Sequence, residues 1–132
     1  MNQEESFTDS DIQSYFFDSY AIFEIIKENK NYQKYVDSEI VITKLNLFEL
    51  YHGYLKDNNL GLADEIIEKY YSFAEDFDEN VIKEAAKMKK ELNKRDLSMA
   101  DCIGYSMAKQ FGIKFLTGDE QFKDLENVEY VK

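Results

Sequence analysis

The chain contains no proline and no tryptophan, and only one cysteine, one histidine and five glycines. A lone Cys102 rules out an intrachain disulfide, and no CxxC or CxxH pairing is present to build a zinc site. The missing prolines argue against polyproline linkers. No apolar run approaches the ~20 residues of a membrane-spanning helix. The N-terminus carries no signal-peptide pattern, so a reducing cytoplasm is the expected setting. Basic residues are also scarce: 16 Lys and Arg stand against 27 Asp and Glu, a formal net charge of -11. Taken alone, that deficit disfavours nucleic-acid binding, because phosphate affinity normally comes from Lys and Arg.

The charge is unevenly spread. Glu4, Glu5, Asp9 and Asp11 lie in residues 1–12 without a compensating base, and four further acids are singled out below, which leaves -3 for the rest. Residues 1–12 read as a loose acidic arm and residues 13–132 as one domain, a length that can bury a single core.

Within the domain, hydrophobic patterning alternates between the two periodicities. Ser14–Phe17 is a short aromatic strand that ends at Asp18, and Tyr20–Lys30 follows with helical spacing. Glu39–Leu45, with Ile40, Val41 and Ile42, reads as a second buried strand, and Leu47–Lys56 and Gly61–Ala74 as helices. Phe73–Phe77 carries a weak strand signal. Asn80–Lys94 is the clearest helix, with Val81, Ala85, Met88 and Leu92 on one apolar stripe. Met99–Phe111 is a helix stopped by Gly112. Ile113–Leu116 and Val128–Val131 complete the strands. The alternation predicts an α/β fold, a three-layer α/β/α sandwich around a parallel sheet of four to five strands. In such sheets sites form at the carboxyl ends of the strands.

Asp18 and Asp119 each end a predicted strand, Glu49 falls in the first turn of the helix after the second strand, and Asp101 opens a helix. Carboxylates at these addresses are expected as ordinary helix caps. Ser98-Met99-Ala100-Asp101 fits a capping box, and Asn46-Leu47-Phe48-Glu49 resembles one. If all four converge, however, their mutual repulsion destabilises the fold unless a divalent cation relieves it. Oxygen ligands without nearby Cys or His select Mg²⁺ or Mn²⁺.

Four segments carry a resemblance. Phe16-Phe17-Asp18-Ser19, Glu49-Leu50-Tyr51-His52-Gly53, Leu97-Ser98-Met99-Ala100-Asp101 with Ala108, and Leu116-Thr117-Gly118-Asp119-Glu120-Gln121-Phe122 stand in order along the chain. Together they resemble the acidic motifs of the PIN-domain family, in particular its toxin-type VapC ribonucleases. The resemblance runs from about residue 14 to the C-terminus. It implies metal-dependent hydrolysis of RNA, leaving a 5′-phosphate and a 3′-hydroxyl. Asp18, Glu49, Asp101 and Asp119 would be the metal ligands and catalytic acids, with Ser19 and Thr117 supporting them. Many relatives have a small polar residue two places after the first Asp; here it is Tyr20. The resemblance also suggests an antitoxin partner and a homodimer.

Lys83, Lys87, Lys90 and Lys94 repeat at helical spacing and form the candidate track for RNA phosphates, against the plainer reading of a solvated helix face. His52 reads as structural or solvated, Cys102 as a small core residue, and Tyr51 and Tyr54 as core. Two other functions compete. A phosphoacceptor receiver-type domain also places acids on a sheet rim, but would want an adjacent acid pair where Phe17-Asp18-Ser19 stands. A catalytically idle PIN-like scaffold would not require the four acids.

Overall fold

The computed structural model describes residues 12–132, so the acidic arm expected over residues 1–12 lies outside the described residues save for Ile12. The sheet has four strands, β1 (Ser14–Phe17), β2 (Glu39–Val41), β3 (Lys114–Thr117) and β4 (Val128–Tyr130), all parallel and in the order β2-β1-β3-β4. Five α-helices connect them: α1 (Ser19–Ile26), α2 (Lys44–Lys56), α3 (Leu60–Tyr70), α4 (Glu79–Glu91) and α5 (Met99–Phe111).

Strand alternation divides the core into two halves. Phe17 and Leu116 point into a cluster with Ala21, Ile22, Leu47, Leu50, Ala63 and Ile66, contributed by α1, α2 and α3. Phe16 and Phe115 point the other way, into a cluster with Val81, Ala85, Cys102, Ile103 and Met107 from α4 and α5. Both residues of each pair are wholly buried, which is why β1 and β3 read as continuous apolar runs and not as alternating ones. The result is the expected α/β/α sandwich, with Cys102 and Tyr54 in its core.

Several boundaries differ from expectation, each for a local reason. α1 stops at Ile26 because Glu28 adopts a left-handed backbone (φ 62°), and Asn29 then caps a 3-10 turn over Lys30–Tyr35. The second strand ends at Val41 because Thr43 caps α2 three residues earlier than expected; its hydroxyl accepts from Leu45 and Asn46 N–H, and Asn46 returns a bond to Thr43 N–H. Phe73–Phe77 forms no strand; a single bridge, Ile42 to Ala74, marks where one would lie. α4 ends at Glu91, so Lys94 lies beyond the helix.

The topology decides where a site can form. From β1 the chain passes to β2 on one side and later returns to β3 on the other. The carboxyl ends of β1 and β3 therefore face a crevice between connections that diverge, the usual location of sites in open parallel sheets. The Asp18 N–H still reaches the Leu116 carbonyl (3.2 Å), so the two strands stay paired right up to that crevice.

Candidate active site

All four acids reach the rim above the β1–β3 crevice, and two hydrogen-bonded chains hold them there. The first is short. The Thr117 hydroxyl, at the end of β3, donates to Asp18 Oδ2 (2.5 Å) and accepts from the Asp119 N–H (3.0 Å). One buried hydroxyl thus fixes both the first acid and the loop that carries the last. Asp18 Oδ1 accepts from Ala21 N–H (2.8 Å) and caps α1, while Asp119 Oδ1 accepts from Gln121 N–H (2.9 Å) and caps the turn at Glu120–Phe122.

The second chain crosses three helices. Thr43 holds Asn46, Asn46 Nδ2 donates to Ser19 Oγ (3.2 Å), and Ser19 Oγ donates to Glu49 Oε1 (2.5 Å). From the other side Ser98 Oγ donates to Glu49 Oε2 (3.4 Å) and accepts from Asp101 N–H (3.0 Å), while the Ser98 N–H donates to Asp101 Oδ2 (2.9 Å). The Ser98–Asp101 capping box is as expected. The one suggested for Asn46–Glu49 is not formed: Glu49 lies in the second turn of α2, and the box runs from Thr43 to Asn46. Displaced from the cap, Glu49 bridges the start of α1 and the start of α5.

Two glycines allow this close approach. A Cβ on Gly53, one turn along from Glu49, would meet the Phe23 ring of α1 at 2.8 Å, so the bare backbone lets α1 and α2 close up around the Ser19–Glu49 bond. A Cβ on Gly118, between Thr117 and Asp119, would collide with the Tyr20 ring and with the Val131 carbonyl oxygen at 2.5 Å. Tyr20 therefore packs over the turn that carries Asp119.

The electrostatics follow from burial without a counter-ion. Asp18 is 3% exposed. Desolvation drives its carboxyl up to about 8 against the opposing pull of the Thr117 and Ala21 hydrogen bonds, and the neighbouring Asp101 and Asp119 charges push the same way. Burial also lifts Asp101 to about 6, with Glu49 and Asp119 adding repulsion to it. None of the four acids is in an ion pair with Lys or Arg among the described residues.

The four carboxylates thus share one field but are not closed around one point. Among the described residues, no three His, Cys, Asp or Glu side chains are grouped tightly enough to hold a metal ion. They are held instead by hydroxyl and backbone donors, with Thr117 shared by Asp18 and the Asp119 loop and Ser98 by Glu49 and Asp101. The donor chemistry nevertheless fits a hard divalent cation: four carboxylates, two of them raised by burial and by their acidic neighbours, backed by hydroxyl and amide groups and in no ion pair among the described residues.

The other candidates lie further out. Lys83 and Lys87 are paired with Glu79 and Glu84 of their own helix, and Lys90 and Lys94 are exposed. His52 is exposed and stacks on Phe48. Sequence reasoning missed Asn46 and gave Ser98 only a capping role. The T-x-x-N spacing from Thr43 to Asn46 was the available signal for the first, and no local pattern reveals that Ser98 also reaches Glu49.

Comparison with known proteins identifies the family and the fold. The family model described as PIN domain matches residues 15–128. Solved structures with the same fold include a toxin-antitoxin complex from Klebsiella pneumoniae (12% identity, TM-score 0.69, covering 87% of this chain and 95% of that one). VapBC2 from Rickettsia felis, bound to a DNA fragment from its promoter, is similar at 19% identity and TM-score 0.69, covering 91% and 100%. VapBC-1 from nontypeable Haemophilus influenzae is similar at 17% identity and TM-score 0.69, covering 89% and 96%. Among curated proteins, none matches.

Proposed function

Because the chain belongs to the PIN-domain family, we propose that it is a divalent-metal-dependent ribonuclease whose site is formed by Asp18, Glu49, Asp101 and Asp119, and that it acts as the toxin of a toxin-antitoxin pair. The observation that carries the chemistry is the gathering of these acids on one strand-end rim, with Asp18 buried, Asp101 half-buried and none of the four in an ion pair among the described residues. The same membership leaves the receiver-type alternative without support.

Bound among these carboxylates, Mg²⁺ or Mn²⁺ would supply an acidified water and neutralise charge on the phosphate. The chain's own residues do the positioning. Thr117 and the Ala21 N–H occupy one lone pair on each oxygen of Asp18 and so fix its plane. Ser19 and Ser98 hold Glu49 from both sides. Ser98 also fixes Asp101, so the second and third acids move together. The deep burial of Asp18 excludes water from one side of the site and makes its negative charge costly until a cation is present. The toxin role, and with it an antitoxin partner, is supported by the fold shared with toxin-antitoxin complexes; the homodimer is proposed from the family resemblance alone.

The idle-scaffold reading draws on the absence of a closed metal-holding group among the described residues. Cleavage of RNA in the presence of Mn²⁺ or Mg²⁺ separates the two. Wild-type protein should cleave and lose activity in EDTA. Asp18→Asn and Asp119→Asn should each abolish cleavage while circular dichroism shows an intact fold. Wild-type rates in both variants would remove the site from the proposal, and an inert wild-type protein with either metal would favour the scaffold.

A further inference from the structure

Beside the acid rim is a feature that the chemistry above does not use. Phe48, which immediately precedes Glu49, is 69% exposed, one of the most exposed large apolar side chains among the described residues, and it joins neither core cluster. Its ring lies parallel to that of His52, with 5.8 Å between centroids and 11° between planes. The two are four residues apart, so α2 stacks them one turn above the other. His52 is also three residues on from Glu49 and therefore shares that side of the helix. The pair thus lies on the exposed side of α2 next to Glu49.

The charge distribution indicates what such a platform is for. The protein carries a formal charge of -11, its rim is acidic, and two of the four stripe lysines are engaged by glutamates. Attraction through phosphates outside the metal is therefore left chiefly to the exposed Lys90 and Lys94, and a strand gains from a further route that does not depend on charge. Stacking of an unpaired base on an exposed aromatic face is that route in single-strand recognition, and it is available only to bases freed from a duplex. We infer that the Phe48–His52 pair is a stacking platform for one base flanking the scissile phosphate of the bound RNA. This inference rests on the ribonuclease reading above.

The test is binding of a fluorescent single-stranded RNA in EDTA, which prevents cleavage, to wild type, Phe48→Ala and Phe48→Trp, with a parallel cleavage assay in Mn²⁺. Phe48→Ala should bind roughly 5- to 100-fold more weakly, the range for loss of one base–aromatic stack, and Phe48→Trp should bind as wild type. An abasic residue at one position of the RNA should weaken wild-type binding to a similar extent and have no further effect on Phe48→Ala, because the two changes remove the same contact. A duplex of the same sequence should bind equally to wild type and Phe48→Ala. If wild type cleaves RNA and Phe48→Ala binds it unchanged, or loses only association with a protein, the platform is wrong and the ribonuclease reading stands. If abasic positions act uniformly, the platform is likewise wrong. If wild type neither binds nor cleaves RNA, both fall together.

Discussion

Asp18 provides the sharpest test of the electrostatic argument, through its effect on the stability of metal-free protein. Its carboxyl stands at about 8 in the folded state against an ordinary 3.8, chiefly because it is buried. The folded chain therefore holds this proton more tightly than the unfolded chain does. Between those two pH values the folded state binds more protons, so stability falls as pH rises, by about 1.36 kcal/mol per unit for a single group. From pH 4 to pH 7 the loss attributable to Asp18 is on the order of 4 kcal/mol, a large part of a small domain's total. Asparagine resembles the protonated acid. It can still accept from Ala21 N–H and can donate to the Thr117 oxygen, at a cost of ~1 kcal/mol for the displaced Thr117 proton. Asp18→Asn should therefore match wild type or fall slightly below it at pH 4, and exceed it by a few kcal/mol at pH 7 in EDTA. Urea unfolding at half-unit steps between pH 4 and pH 8 measures both curves. Adding Mn²⁺ should then close most of the gap, since a ligand at 100 times its Kd stabilises by ~2.7 kcal/mol and the variant lacks a ligating charge. If the two curves run parallel in EDTA, with Asn below Asp throughout, Asp18 titrates normally and the desolvation argument is refuted.

Two further outcomes test the geometry. Gly118→Ala should destabilise by ~1–3 kcal/mol, the usual cost of overpacking, because the new methyl meets both the Tyr20 ring and the Val131 carbonyl; adding Tyr20→Ser should recover only part of the loss in thermal melts, since the carbonyl contact remains. Lys90→Glu with Lys94→Glu should leave Mn²⁺-dependent stabilisation intact and flatten the salt dependence of RNA binding, and superimposable plots for wild type and variant would show that the phosphate track lies elsewhere.

The fold was legible because its signals are local and strong. Tyr15, Phe16 and Phe17, followed at once by Asp18, could be little other than a strand buried on both faces and ending at a polar rim. The Met99–Phe111 helix showed its start in Ser98 and its stop in Gly112, and the structure has the same bounds. The boundary between the second strand and α2 was misplaced for a specific reason. At Ile42-Thr43-Lys44-Leu45 the apolar run continues through a change of backbone state, and only the Thr43–Asn46 cap, a side-chain bond, marks the transition. The weak strand signal at Phe73–Phe77 failed for a related reason: Ala74 does approach Ile42, but the ladder never extends past one bridge. The long-range bonds from Asn46 to Ser19 and from Ser98 to Glu49 span 27 and 49 residues and have no local pattern at all.

The two readings of the acids, helix caps and metal ligands, turn out to be compatible, because a carboxylate has two oxygens. Asp119 gives Oδ1 to the Gln121 N–H and Asp101 gives Oδ2 to the Ser98 N–H, while no hydrogen bond to the other oxygen of either is found among the described residues. Capping fixes the torsion of the side chain and so aims its second oxygen, at the cost of about one hydrogen bond that the helix end requires anyway. Asp18 departs from this pattern in having both oxygens engaged, one by the α1 cap and one by Thr117. Each carboxylate oxygen has a further lone pair, so this acid can still ligate, but only in the orientation its two donors allow. Glu49, which caps nothing, is the acid whose position depends most on side chains from other elements, Ser19 and Ser98. Truncating those two hydroxyls together, Ser19→Ala with Ser98→Ala, should therefore reduce metal-dependent cleavage more than it reduces stability, and Asp18 should be indifferent to the change. A loss of stability as large as the loss of activity would mean that the serines serve the fold and not the site.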